Sequence, residues 1–350
     1  PQPILETKND SKISSTLILE SQPISESKND SKKSPKLILE PQPILESKND
    51  SKKSPTLILY TTVDEQEKLY RRDNLRFFLR KGYLQEPNYQ FIVIINGCHK
   101  LNLDEYKRFP NFHVLVRKNL CYDAGGWLDG LDYMHGLGFK FQKYIFLNCS
   151  VRGPFVPNYI SKNDFDWVSL FTSRLNDELK LVGTSINCLN LIGSKSGLAD
   201  THIQSMAFAT DSIGLECCIY KTLKFPQCNE HWQKKDVIWR REVQYSKSIL
   251  KMGYSIGGFL EGFKEDISLK SRNETMRACE SVTATKSDIY YPHSYGSRGI
   301  SIDPFEIMFI KTNRKISPKE IETYSEWNYP NFFSKEERGS ILMEGGPVCE

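Results

Sequence analysis

Two regimes of apolar patterning divide the chain near residue 60. Over residues 1–60 the apolar positions come mainly as a Leu-Ile-Leu triplet that recurs every 20 residues among Ser, Lys, Asn, Asp and Pro. From Thr61 onward they form strand-length runs alternating with helically spaced sets. Residues 65–81 (EQEKLYRRDNLRFFLRK) put Leu69, Leu75, Phe78 and Leu79 at helical spacing, with Gly82 as a stop. Residues 90–95 (QFIVII) read as a buried strand closed by Asn96-Gly97, and 112–116 (FHVLV) as a second. A helix is expected over 122–135 (YDAGGWLDGLDYMH). Another strand follows at 144–147 (YIFL), closed by Asn148-Cys149-Ser150. Further strands are expected at 180–186 and 254–256, and helices at 203–215 and 242–252, the latter stopped by Gly253. Residues 304–310 fit either a strand or a helix, and beyond Lys315 the pattern weakens.

This alternation predicts an α/β fold with a Rossmann-like, mostly parallel sheet flanked by helices. Ligands in such sheets sit at the carboxyl ends of the strands. Three loops therefore matter: 96–100, 117–126 and 148–157. The first 60 residues are three copies of one unit. Residues 41–60 read PQPILESKNDSKKSPTLILY, and each earlier copy matches it at 16 of 20 positions. A unit this polar cannot bury enough surface to offset chain entropy, so a disordered, repetitive N-terminal tail is expected. The expected organisation is a tail over 1–60, one domain over 61–315 and a C-terminal tail over 316–350.

Composition narrows the function classes. Apolar residues make up 39% of the 350, enough for a sizeable core, and Lys plus Arg total 47 against 43 Asp plus Glu. A formal charge of +4 lacks the basic excess of a nucleic-acid binder, so no nucleic-acid partner is expected. No apolar run reaches the roughly 18–20 residues of a transmembrane helix, and no secretory signal is recognised. The nine cysteines are scattered and odd in number, which favours unpaired thiols in a reducing compartment. The expected place is the cytoplasm or the cytosolic face of a membrane.

The candidate chemistry lies in three stretches. In residues 117–127 (RKNLCYDAGGW), Gly125 and Gly126 let backbone N–H groups approach a ligand, and a helix N-terminus favours an anion such as a diphosphate. Arg117 and Lys118 add positive charge, and Asp123 can accept from a sugar hydroxyl or simply cap the helix. In residues 146–155 (FLNCSVRGPF), Asn148 and Ser150 can bond sugar hydroxyls and Arg152 can meet phosphate. An ordinary Asn/Ser turn would look the same. In residues 239–246 (WRREVQYS), Glu242 is either a dipole-compatible residue at a helix start or a general base.

Together these stretches resemble the rhamnan-synthesis F type of glycosyltransferase, within the GT-A superfamily. The resemblance rests on residues 119–127 (NLCYDAGGW) and 144–154 (YIFLNCSVRGP), with support from 181–185 (LVGTS) and 202–206 (HIQSM). It implies a GT-A-like domain, a nucleotide-sugar donor and a glycan acceptor. It also implies donor contacts by Asn119, Asp123, Gly125, Gly126, Asn148, Ser150, Arg152 and Arg117, and it puts Glu242 where the inverting base stands. His202 and Arg298 are candidates for the acceptor side or a mobile loop. The family's first Gly is Cys121 here. Its metal-binding Asp-x-Asp turn is Asn148-Cys149-Ser150, which leaves bound Mn or Mg in doubt because both prefer hard carboxylate oxygens. The alternative reading is a catalytically silent sugar-nucleotide or glycan-binding module. Cys217, Cys218, Cys228 and His231 form the densest soft-ligand group, with unpaired structural thiols as the plainer reading.

Overall fold

The computed structural model describes residues 53–157, 166–187, 201–260, 263, 266–268, 290, 302–314, 318–343 and 346–349. In chain order the elements are β1 (Thr56–Thr62), α1 (Leu69–Lys81), β2 (Tyr89–Asn96), α2 (Asp104–Lys107), β3 (Phe112–Arg117), α3 (Tyr122–Gly136), β4 (Lys143–Asn148) and β5 (Val151–Arg152). Next come α4 (Trp167–Thr172), β6 (Leu179–Gly183), β7 (Ile186–Asn187), β8 (His202–Ile203), β9 (Ala207–Asp211) and α5 (Ser212–Gly214). A π-helical turn (Leu215–Ile219) leads into α6 (Tyr220–Lys224). Then α7 (Lys234–Val237), a second π-helical turn (Ile238–Glu242) and α8 (Val243–Lys251) run as one continuous helix. Last are β10 (Ser255–Gly258), α9 (Pro304–Ile307), β11 (Ile310–Lys311), α10 (Pro318–Asn328) and α11 (Lys335–Gly339).

Seven strands form one sheet in the order β10-β6-β9-β4-β1-β2-β3. All run parallel except β9, which is antiparallel to both β4 and β6. The expected α/β class, a mostly parallel sheet flanked by helices, is what the structure has. Because both faces are covered, the inner strands are apolar throughout rather than alternating, as the run in β2 shows.

Strand β1 carries both faces at the middle of the sheet. On one face Tyr60 stacks on Phe78 of α1 at 4.7 Å, and Trp167 of α4 closes the layer, donating Nε1–H to the Gly82 carbonyl at 2.7 Å. On the other face Trp127 of α3 packs edge-on to Phe146 and Phe208, each at 5.5 Å, and donates to the Leu147 carbonyl. Helix α3 comes this close because its sheet-facing side is glycine. A methyl group at Gly126 would stand 2.8 Å from Thr61 Cγ2, and one at Gly130 would stand 2.6 Å from Ile94 Cδ1.

Several expectations are corrected. The boundary at residue 60 cuts through β1: Thr56–Thr62 is buried along its whole length, so the domain takes in the last triplet of the repeat. Residues 1–52 of the expected tail lie outside the described residues. The helix expected over 203–215 is instead β8, β9 and α5, because residues 207–211 fill the slot between β4 and β6. The segment expected as a C-terminal tail packs on the domain over its described residues. Phe332 is fully buried against Phe77, Arg338 grips the Asp73 carboxylate at 3.1–3.3 Å, and Val348 pairs with His99. Cysteines that look unpaired in sequence are joined as Cys98–Cys349 and Cys121–Cys228, with Cα atoms 4.3 and 6.1 Å apart. These partners are 251 and 107 residues apart, so no local spacing marks them.

A chain starting at Ser51 and the full chain are both expected to melt cooperatively. One starting at Thr61 loses Thr56–Tyr60, splits the sheet between β4 and β2, and is expected to show no cooperative transition by circular dichroism. Equal melting of the two would refute the placement of β1. Gly126→Ala is expected to destabilise by about 1–3 kcal/mol through overpacking. Gly136→Ala, at the open end of α3 with nothing within 4 Å, should be neutral or slightly stabilising in the same denaturant titration.

Candidate active site

The chain runs from β1 outward through β2 to β3, then returns to place β4 on the other side of β1. Such a reversal opens a crevice at the carboxyl ends of the two central strands. Thr61 and Asn148 are paired at that end, and the loop after β3 brings the start of α3 over it. Asp123, in the first turn of α3, is tied across the crevice: Asn148 Nδ2 donates to its Oδ2 at 2.6 Å, and Ala124 N donates to its Oδ1 at 3.1 Å. The other end of the Asn148 amide accepts from Ser150 N at 3.0 Å and Ser150 Oγ at 2.6 Å. Asp123 is therefore not the helix cap. That position falls to Cys121, whose backbone is left-handed at φ 65° and is followed by Tyr122 at φ 55°. A glycine would take φ 65° without strain, which explains the glycine at this position in the resembled pattern. Two consecutive residues of this kind cost about 1–3 kcal/mol each and need support. Asn96 supplies some, donating to the Tyr122 carbonyl at 2.9 Å.

Glu242 reaches the crevice from the opposite side. It ends the second π-helical turn, and the wider turn sets Trp239 and Arg240 toward solvent while Arg241 and Val243 turn inward. Burial alone would push the Glu242 carboxyl up. His202, with Nε2 at 3.4 Å from Oε1, opposes this most strongly, followed by the charge of Lys311 and the Ser205 hydroxyl donating to Oε2 at 2.6 Å. Their sum holds the carboxyl at about 2, against an ordinary 4.5. Asp123 goes the other way. Burial raises it, Asn148 pulls it back, and the Glu242 charge raises it again. The two carboxylates thus sense each other across the crevice.

The remaining sequence candidates divide. Arg117 is spent inside the loop: its guanidinium bonds Asp129, the Asn96 side chain at 2.7 Å and the Leu120 carbonyl at 3.1 Å. Arg152 is 4% exposed and donates to Asn74 at 3.0 Å and Ser325 at 2.9 Å, with its guanidinium 5.2 Å from the Phe332 ring centre. Burial lowers it to about 10. Both arginines, read in sequence as phosphate ligands, hold the fold together instead. Gly125 and Gly126 face the Leu120 carbonyl and Thr61, so they serve close packing rather than ligand approach. Asn119 is exposed on the loop, and Ser150 stays at the crevice. His202 is 1% exposed on β8, with its Nε2 3.4 Å from Glu242 Oε1. Arg298 lies outside the described residues.

Sequence reading missed four contributors. Ser205, in the turn before β9, and Lys311, on β11, act on Glu242 from positions far apart in sequence. The other two are hydroxyls. Tyr245 is 2% exposed, packs at 5.7 Å on Phe208, and leaves its hydroxyl without a hydrogen-bond partner. Burial raises its pKa well above 10, and the charges of Asp123 and Glu242 add to that. Thr61 Oγ1 is likewise buried and unpartnered. The spacing from Glu242 to Tyr245, three residues on a helix, was the available signal.

The turn after β4 is a poor fit for a resident divalent ion. Asn148 Oδ1 already accepts twice from Ser150, and burial keeps the Cys149 thiol protonated by raising its pKa. Among the described residues no three His, Cys, Asp or Glu side chains converge as a metal site, the group around Cys217 included.

No family model and no curated protein matches the chain. Solved structures show partial likeness. The chain is similar to the mannosyltransferase PcManGT from Pyrobaculum calidifontis, solved with GDP-Man and Mn2+, at 10% identity over 58% of this chain and 54% of that one, TM-score 0.36. The match thus spans about half of that enzyme. TarS from S. aureus is similar at 11% identity over 79% of this chain and 73% of that one, TM-score 0.35. An active-site mutant of LgtC is similar at 13% identity over 63% and 69%, TM-score 0.30.

The depressed Glu242 carboxyl has a stability consequence. Its contribution is fully present above about pH 4.5 and is lost as pH falls through about 2. Between those limits the parent chain is expected to lose more stability than Glu242→Gln, which has no such proton to take up. Urea titrations at a series of pH values check this, and parallel curves for the two would contradict the assignment.

Proposed function

We propose that this chain is a nucleotide-sugar-dependent glycosyltransferase acting on a hydroxyl of a glycan or glycoconjugate. The observation that carries the reading is an ionised carboxylate, Glu242, facing the Asp123–Asn148 pair across the crevice at the sheet's reversal point. The sequence resemblance of residues 119–127 and 144–154 supports the same class, and it makes rhamnose the first sugar to test.

In this mechanism Asp123, Asn148, Ser150 and Asn119 hold donor hydroxyls at the crevice, and the unpartnered Tyr245 hydroxyl donates to the bound donor. Glu242 accepts the acceptor hydroxyl's proton as that oxygen attacks the anomeric carbon. The bond from that carbon to the diphosphate oxygen breaks, and the nucleoside diphosphate leaves with the electron pair, giving inversion. His202 and Ser205 are positioning residues that fix the orientation and proton affinity of Glu242. Lys118, exposed on the loop before α3, takes the diphosphate-facing part that Arg117 cannot. No step is routed through a metal ion.

A second reading has its own support. A turn without carboxylates and a base held near 2 also suit a module that binds a sugar nucleotide and does not transfer it.

Nucleotide release from a panel of sugar nucleotides, with and without Mn2+, separates the two. The enzyme reading expects release from one donor, lowered about 10²–10⁴-fold in Glu242→Gln. Binding of a donor with no release, unchanged in that variant, favours the silent module. His202→Ala removes the largest stabiliser of the Glu242 charge, so the acid limb of kcat/KM is expected to move up in pH. Tyr245→Phe discards a hydroxyl with no partner in the free protein. Its folding stability should be unchanged or raised while donor affinity falls about 5–10-fold, roughly one hydrogen bond.

A further inference from the structure

On the outer side of the α7–α8 helix, away from Glu242, lies a groove of about 530 Å³. Its apolar walls include Phe225, Trp239 and Met252, which are 68%, 44% and 59% exposed. Large apolar side chains grouped this way in the open call for a partner. Lys221, Arg240 and Lys251 line the same groove, all exposed and none in an ion pair with a described residue. Arg240 has only the Trp232 ring, at 5.2 Å. Among the described residues, no carboxylate lines the groove.

We propose that this face docks the protein on an anionic membrane surface. Trp, Phe and Met beside unpaired Lys and Arg is the chemistry of an interfacial anchor: the apolar side chains enter the headgroup boundary and the cations meet anionic lipid. The charge fits that surface, because three positive groups stand on it and none of the described lining residues is negative. The anchoring face lies outside the proposed catalytic machinery and does not depend on the glycosyltransferase reading. It leaves the crevice free, since Glu242 points inward from the same helix.

Vesicle flotation of the full chain tests this, with neutral phosphatidylcholine alone and with about one-third phosphatidylserine added, at low and high salt. Expected is flotation with the anionic vesicles, weakened by salt and absent with neutral ones. At roughly fivefold per charge, Lys221→Ala/Arg240→Ala/Lys251→Ala should lower partitioning on the order of 100-fold. Phe225→Ser/Trp239→Ser should lower it as well. Near-ultraviolet circular dichroism checks that the variants are folded. No flotation with anionic vesicles overturns the proposal. So does equal flotation with both vesicle types, and so does undiminished flotation of the folded triple variant, which would place the contact elsewhere.

Discussion

Two carboxylates share one crevice that is only partly open to solvent, and the surrounding structure is arranged to tolerate that. A buried charge is costly unless it is paired and hydrogen-bonded. Glu242 meets this requirement with His202 from β8, Ser205 from the segment before β9 and Lys311 from β11. Asp123 meets it with the Asn148 amide from β4. These groups come from three strands and a turn, so the crevice needs the sheet complete and β11 paired to β5. The opposite displacements of the two groups follow from the same source: the better-compensated one keeps its charge and makes ionisation harder for its neighbour.

The arginines show how a fold can absorb residues that look reactive in sequence. Arg117 and Arg152 end β3 and β5, and both suit phosphate by type. Each is consumed by short-range bonding that only the folded chain reveals. Arg117 links β2, its own loop and α3. Arg152 joins α1 to α10. A guanidinium whose donors are saturated by buried partners is structural glue, whatever its position relative to a site.

Much of the fold was legible because its signals are local. Continuous apolar runs marked β2 and β4, and Gly253 at φ 88° ends α8 where the sequence expected a stop. Within the site, Asp123, Asn148 and Glu242 were candidates from loop position, an expected helix start at 242 and the family resemblance, although the helix carrying Glu242 begins eight residues earlier, at Lys234. The failures are non-local. Whether 207–211 becomes strand or helix depends on an empty slot between β4 and β6. His202 and Ser205 were invisible as partners of Glu242, about forty residues away. The boundary error has a readable remedy. Both earlier repeats end in Glu, at 20 and 40, where the third has Tyr60. That position is 1% exposed against Phe78, so only the last copy suits the interior.

The central position of β1 also bears on synthesis. Among the described strands it is the first to be translated, yet its neighbours come later: Thr56 pairs with Tyr89 on one edge and with Lys143 on the other. At 5–20 residues per second, β4 trails β1 by about 4–17 s. For that interval the growing chain offers an apolar strand with an open edge, just after two near-copies of the same triplet. The exposed stage of this protein's life is therefore its time on the ribosome, where chaperones can hold the strand until β4 arrives.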